Sequence, residues 1–533
     1  MTRTADDVGF GLAPARPPRP IRVGERIHVV GAAGAGASAA ALLAIGAGAA
    51  VDGCDVCPES PYTQALEVAG IHVAAGHGAR HVRSESRPER LAVSKALTAI
   101  APHHDELEAA RELGIVLEPW QQLVADAAVG RRLVAVAGTH GKSTSAGWLV
   151  HVLAAAGEDP AAFVGALLPA SLTGGVPATA RLGRGEAFVV EADEYAGNFD
   201  PFGPSIAVLT SAEWDHPDVF ADRGAVLDAF EAWLRRARPG PDGNQPTLVA
   251  NVGDPGVAEI ASRLQDWEGR IVAVALADAV VRNGLDLAGN LAARYRTAQG
   301  PAATLIGRIM AASADGTTLD LDWSPAFRTP GATKAGAVPP VVRLPTAGRH
   351  NATNALGVAG AALALGLRGG AIGTGLASFA GVGRRLERKG ERHGVVVYDD
   401  YGHHPTAIRA TIAAMRQLEP GRRLWVACEP LTYHRTAALL DALAAALATA
   451  DAVAISDIWA GRDLDTTVVT SADVAAATAR LRPEMTVVAP GSVEATADWL
   501  AGEIRSGEAV LVMGGGRSYR IAERLLEPLA ENE

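Results

Sequence analysis

Cysteine is nearly absent from this 533-residue chain, which has only Cys54, Cys57 and Cys428. Three thiols cannot build a disulfide framework, and the single C-x-x-C at 54–57 has no second pair to complete a zinc site, so the cysteines read as incidental. Lysine is almost as scarce, standing only at Lys95, Lys142, Lys334 and Lys389. Positive charge is in deficit overall: the formal net charge is -11 and the pI is near 5.7. That excludes a general affinity for nucleic acid or anionic membranes, so an anionic ligand must meet local cations and backbone amides. Long apolar runs are missing too. The Ala-rich stretch 37–50 is broken by glycines and falls short of the ~20 residues that a membrane span needs. The opening residues carry early acids and several prolines and have no apolar segment of the kind a signal peptide uses. A cytoplasmic location is expected.

Apolar residues make up 48% of the chain, and one core per ~150 residues gives three or four domains. We expect a flexible lead over 1–23, then domains over 24–130, 131–378 and 379–533, with hinges near 130 and 378.

One stretch organises the rest. LVAVAGTHGKSTSAGWLVHVLAAAG (133–157) runs from apolar residues through a turn on Gly138 and Gly141 into a helix-period pattern, so strand, loop and helix are expected in that order. Glycines let the backbone wrap a phosphate, the helix N-terminus offers unpaired N–H groups, Lys142 adds a cation, and Ser143 offers an oxygen to Mg2+. The common nucleotide loop needs a glycine where Val136 stands. ATP is nonetheless the ligand expected for Gly138, Thr139, His140, Gly141, Lys142, Ser143 and Thr144.

Other strand ends carry polar groups as well. RIHVVG (26–31) leads into Gly31, Gly34 and Gly36, whose G-x-x-G-x-G order is not the dinucleotide fingerprint. Such a loop still presents amides to a diphosphate. The strand at 49–55 ends in Asp55, an acid suited to ribose or base hydroxyls. Residues 78–95 are charged and read as a surface connection. EAFVVEADEYAGNFD (186–200) and PSIAVLTSAEWDHPDVF (204–220) run strands directly into acids, and in an open parallel sheet these ends share one crevice with the loop after Ala137. Acids beside a triphosphate need a cation between them, for which hard oxygen ligands and Mg2+ are the match. Residues 235–345 complete the central domain, with strands at 247–251, 271–275 and 317–323. A following helix carries His350, Asn351 and Asn354 early, and amides spaced i and i+3 suit the edge of adenine. Arg384 or Arg385 is available to phosphates, Asp400 to the ATP ribose, and His403 or His404 to substrate or amine. Four further strands, 423–428, 452–456, 486–489 and 509–513, make the third domain doubly wound.

The string G-T-H-G-K-S-T at 138–144, with D-D-Y-G-H-H-P at 399–405, resembles the Mur ligases, ATP-dependent amide-forming enzymes of peptidoglycan synthesis, and among them the alanine-adding branch. The resemblance implies an α/β protein of three domains: an N-terminal Rossmann-like UDP-binding domain, a central P-loop-type ATPase domain with a mostly parallel sheet, and a C-terminal Rossmann-like domain. It implies ATP and Mg2+ as cofactors, with Ser143, Glu191 and His216 at the positions of the metal ligands. Gly31, Gly34, Gly36, Ser38, Asp55 and Thr63 match the UDP-sugar site. UDP-N-acetylmuramate and L-alanine would be the partners, joined through an acyl phosphate by a monomer or homodimer. The catalytic groups would be Lys142, His216, His403 and His404. No lysine lies between Lys142 and Lys334, the region where other branches hold a carbamylated lysine. A recycling ligase that takes a whole tripeptide shares most motifs but has a longer insertion where Glu191 and His216 here stand 25 apart. In another class, a catalytically silent UDP-sugar-binding regulator is opposed by the intact Lys142, Glu191 and His216. One departure stands out. EPLTYHRT at 429–436 puts Thr432 where the family has the first of two arginines, leaving Arg435 alone to bind carboxylate or phosphate.

Overall fold

A computed structural model describes residues 3–83, 87–282, 290–324 and 339–527. Three sheets follow one another along the chain. The first holds β1 (Arg26–Val30), β2 (Ala50–Asp55), β3 (Val73–Ala75), β4 (Arg90–Val93) and β5 (Val116–Pro119), all parallel in the order β3-β2-β1-β4-β5. Both faces are covered, as a parallel sheet requires. Ile27 and Val29 meet the small-residue helix Ala35–Gly46, while Val30, Leu91 and Val93 meet Leu107 on the other side.

The segment 78–95, expected as a surface connection, contains the buried strand β4. Its arginine misleads, because Arg90 is 3% exposed and faces Glu25 at 3.4 Å, Glu118 at 2.9 Å and Asp126 at 2.7 Å. Nor are residues 3–23 a loose lead. Arg16 pairs with Glu118 at 2.6 Å and Asp126 at 2.8 Å, supplying charge that these buried carboxylates need. Val8 is fully buried in a small cluster with Ala99, Tyr195 and Ala196, and its carbonyl accepts from Thr98 Oγ1 at 2.7 Å.

The central sheet adds β6 (Arg132–Ala137), β7 (Ala161–Leu168), β8 (Ala178–Arg181), β9 (Ala187–Glu191), β10 (Ile206–Leu209), β11 (Thr247–Asn251), β12 (Arg270–Leu276), β13 (Ala303–Ser313), β14 (Gly316–Trp323) and β15 (Val341–Leu344). Their order is β15-β14-β13-β12-β11-β10-β6-β9-β7-β8. It is parallel except at its margins, where β13–β14, β14–β15 and β7–β8 run antiparallel. The helices Lys142–Ala155, Arg349–Ala364 and Gly369–Ala377 cover one face through Trp148, Leu149, Leu356 and Leu376. The other face shares its core with the first domain: Leu42, Leu43, Phe163 and Phe188 belong to one cluster.

The third sheet, ordered β16-β17-β21-β18-β19-β20, is built from β16 (Glu387–Arg392), β17 (Val395–Asp400), β18 (Leu424–Glu429), β19 (Ala452–Ser456), β20 (Thr486–Gly491) and β21 (Ala509–Gly514). Only the β16 edge is antiparallel.

Candidate active site

Strands β10, β6 and β9 are adjacent, so their carboxyl ends open side by side. Beyond β6 the loop 138–141 turns with Gly138 at φ 129° and Gly141 at φ 80°. A Cβ on Gly138 would stand 2.8 Å from the backbone of Ser211, and one on Gly141 would stand 2.5 Å from Asn354 Oδ1. The loop is stitched to the end of β10. The amide of Thr139 donates to Ser211 O at 3.1 Å, that of His140 to Ser211 Oγ at 2.8 Å, and that of Glu213 to Thr139 Oγ1 at 2.9 Å. This pinning aims the loop amides and the start of helix 142–155 into a cavity of about 590 Å³, which Thr144 also lines.

Lys142 Nζ lies in that cavity, 3.0 Å from Glu194 and 3.5 Å from Asp193. Burial works against its charge, yet Glu194, Asp193 and Glu191 outweigh it and hold the ammonium above its ordinary pKa. Glu194 is itself pushed up to about 7 by burial, against the pull of Lys142. Ser143 Oγ donates to Glu191 at 2.9 Å, and the other oxygen of Glu191 accepts from Gly165 N at 2.6 Å. His216 stands at the acidic cluster. Its ring sits with Asp193 and Glu194, and burial lowers its pKa. Lys142, Ser143, Glu191, Asp193 and His216 line the same cavity, with Glu194 buried behind them. Asp193 and Glu194 were visible in the sequence only as part of an acidic cluster.

The third domain closes the other side. Arg385 Nη2 donates to Ser143 Oγ at 2.8 Å. Arg384 turns away to Asp399 at 2.9 Å, Gly514 O at 2.8 Å and Ser518. Asp400 uses its oxygens on the amides of Leu386 and Gly402, each at 2.7 Å, so it braces the turns on either side of Arg385 and His403. His403 is held neutral: burial pushes its pKa well below the usual imidazole value. Its Nδ1 is 2.8 Å from Tyr401 O, and since a carbonyl only accepts, Nδ1 carries the proton and Nε2 keeps a lone pair. His404 caps the helix Pro405–Leu418 by accepting from Thr406 N at 3.2 Å, and burial takes its pKa down to about 4. His140 pairs with Glu213 at 3.1 Å beside it. On helix 349–364, Asn351 donates to Ala347 O and Asn354 to Asn351, while His350 is lowered by burial to about 4.

Arg435 is 5% exposed and reaches Asp215 at 2.6 Å. Its Nε and Nη1 are buried with no hydrogen-bond partner. Beside it stands Arg462, which the sequence did not single out. Its guanidinium covers the Tyr195 ring at 3.7 Å and lies 3.3 Å from Asp218 and 3.5 Å from His216 Nδ1. The turn at Thr432, whose φ is 56°, reaches the Arg462 loop through Thr432 N to Trp459 O at 2.9 Å.

The first domain contributes Gly36, where a Cβ would fall 2.2 Å from the Trp120 ring, and both residues line the cavity. Gly31 turns at φ 84°, and Gly34 caps helix 35–46. Asp55 accepts from Ala33 N at 3.1 Å and Cys57 N at 3.0 Å, bracing this loop. Ser38, expected at the UDP sugar, is fully buried and bonds Thr179 of β8 at 3.1 Å; the docked central domain covers it. Thr63 closes a local turn with Ser60.

Three family models match the chain: the Mur ligase family catalytic domain over 26–132, the Mur ligase middle domain over 136–362, and the Mur ligase glutamate ligase domain over 384–516. The UDP-N-acetylmuramate--L-alanine ligase of Frankia casuarinae is 34% identical over 95% of this chain and 98% of its own. The enzyme of that name from Kineococcus radiotolerans is 35% identical over 95% and 96%. Among solved structures, the UDP-N-acetylmuramate-alanine ligase of Thermotoga maritima superposes with a TM-score of 0.71 at 20% identity, covering 94% of this chain and 98% of that one. The murein peptide ligase of Psychrobacter arcticus gives 0.66 at 23%, covering 95% and 100%. At these identities the two superpositions show the fold alone.

Proposed function

The chain belongs to the Mur ligase family, and from that premise we propose that it joins L-alanine to the carboxylate of UDP-N-acetylmuramate at the expense of ATP. The observation that carries this is one cavity shared by the Lys142 loop, the acids Glu191 and Asp193 and a buried guanidinium, Arg435, with two nitrogens that have no hydrogen-bond partner. A carboxylate does not condense with an amine in neutral water, so it must first become an acyl phosphate. Both reactants of that step are anions. Lys142, Arg385 and the loop amides offset their repulsion and hold them in line, which is positioning and electrostatics.

The donor set also fits a hard divalent cation: a hydroxyl at Ser143 and carboxylates at Glu191 and Asp193 face the phosphate loop, with His216 beside them. When bound there, Mg2+ neutralises phosphate charge. The partly unpaired Arg435 suits the carboxylate of the incoming amino acid, and Arg462 supplies the second cation that Thr432 cannot. His403 Nε2 suits a hydrogen bond from the amine. Its depressed pKa makes it an orienting acceptor rather than a strong base. His350, Asn351 and Asn354 we assign to the adenine end, Gly31, Gly34 and Gly36 to the diphosphate of the UDP sugar, and Asp55 to support of that loop.

Every assigned group lies on one chain, which suffices as a monomer or within a homodimer. No helix among the described residues is long and apolar enough to cross a membrane, and we place the reaction in the cytoplasm, where ATP is available. The test is phosphate release from ATP with UDP-N-acetylmuramate and, in turn, L-alanine, glycine, L-serine and the tripeptide. Release with L-alanine is expected. Release with the tripeptide alone would move the assignment to the recycling reaction, and no release with any amine would end the ligase reading.

A further inference from the structure

One face of the first sheet carries a group of side chains far from ATP chemistry in character. His28 of β1 and Cys54 of β2 are 2% and 0% exposed, with His28 Nε2 and Cys54 Sγ 3.3 Å apart. The start of helix Asp105–Glu112 lowers the fully buried Glu106 onto them. Its carboxylate lies 2.9 Å from His28 Nε2 and 3.4 Å from Cys54 Sγ. From the segment between β3 and β4, His81 Nδ1 comes within 3.1 Å of Glu106, and His77 Nδ1 within 3.1 Å of Cys54 Sγ. One donor atom from each of His28, Cys54, His81 and Glu106 falls within 4.8 Å of all the others.

Zinc bonds of ~2.0–2.3 Å to nitrogen, oxygen and sulfur in a tetrahedron put the ligand atoms roughly 3.3–3.8 Å from one another, and the contacts above, 2.9–3.4 Å, lie at the lower edge of that range and just below it. A borderline cation that accepts thiolate, imidazole and carboxylate together is zinc-like rather than magnesium-like. A second observation points the same way. His28 Nδ1 is 2.7 Å from Asp52 on the neighbouring strand, the carboxylate–histidine arrangement that fixes the tautomer and turns the Nε2 lone pair inward. A thiolate and a carboxylate together balance the two charges of the ion. The four ligands come from separate segments, so a bound ion ties β1 and β2 to the chain that covers them.

We propose that His28, Cys54, His81 and Glu106 hold a structural Zn2+ ion in the first domain. The ion braces the glycine loop, because the carbonyl of Cys54 accepts from the amides of Gly31 at 2.9 Å and Ala32 at 3.1 Å. The C-x-x-C at 54–57 thus divides: Cys54 is a ligand, whereas Cys57 is exposed and is not. This inference stands apart from the ligase assignment.

The test uses the full-length chain without a histidine tag, dialysed against metal-free buffer. Elemental analysis is expected to find about one zinc per chain in the wild type and in Cys57→Ser, and below about 0.1 in Cys54→Ser and His28→Gln. Chelator-stripped wild type titrated with Co2+ is expected to develop a thiolate-to-cobalt charge-transfer band that saturates at about one equivalent. Cys54→Ser, shown to be folded by circular dichroism, is expected to lack the band. Two results would overturn the proposal. One is wild type that holds no zinc, shows no cobalt band and keeps its melting temperature on addition of Zn2+. The other is Cys54→Ser with an undiminished zinc content. Either would make the cluster a proton-sharing polar network.

Discussion

Lys142 is kept charged by the acids that surround it, so its removal withdraws the cation where two anions meet. Lys142→Ala is expected to lower the rate of phosphate release by about 10²–10³-fold, the usual cost of one electrostatic donor. Calorimetry should find the melting temperature little changed, because Glu194 can take a proton near pH 7. The two arginines of the amino-acid end should separate by readout. Arg435→Ala leaves Asp215 buried beside an uncompensated space, at a cost of about 3–5 kcal/mol, and should appear as a lower melting temperature. Arg462 is partly exposed. Arg462→Ala should instead raise the KM for L-alanine about tenfold or more, roughly 1.4 kcal/mol, with the KM for ATP unmoved. An unchanged KM for L-alanine would remove Arg462 from the binding role.

The element that fastens the N-terminus makes an acid-sensitivity prediction. Burial alone would raise the Glu25 carboxyl, but Arg19, the amide of Arg22 and Arg90 bring it down to about 2. A depressed carboxyl contributes stability above its ordinary value near 4.5, and that contribution is lost as pH falls from about 4.5 to about 2. Melting temperatures across a pH series should therefore drop more steeply in wild type than in Glu25→Gln, which starts lower. The same network shows why parts of the fold escaped the sequence. Strands β6, β9 and β10 were legible because apolar runs of four or more lead into glycine, an acid or hydroxyl residues, and parallel topology then dictates that their ends converge. Strand β4 has four residues and begins with an arginine, and nothing local tells that its charge is matched inside by Glu118 and Asp126. Arg462 was hidden for a related reason, since it sits in a loop without periodicity and is brought to the site by the turn at Thr432 and Trp459. Ser38 erred in the opposite direction: a local match pointed to a ligand where the neighbouring domain supplies the partner.

Across the whole molecule, the polar links between the third domain and the central one include Arg385 to Ser143, Thr406 to Glu213, Arg435 to Asp215 and Arg462 to Asp218. Polar interfaces of this kind resemble transient ones, and relative motion about the hinge near 378 is the expectation. Small-angle scattering should record contraction when UDP-N-acetylmuramate and a nonhydrolysable ATP are added together; superimposable profiles would contradict it. Tyr195 provides a local gauge of the same motion. Its hydroxyl donates to Asp218 at 3.0 Å, its face carries Arg462 of the third domain, and its ring packs in the cluster with Val8 and Ala99, while Lys95 bonds the adjacent Ala196 carbonyl at 2.6 Å. One aromatic ring thus touches all three domains. A fluorine atom introduced on that ring would sit at their common junction, and its NMR resonance would register a shift of any one domain against the other two without a label on the nucleotide or the amino acid.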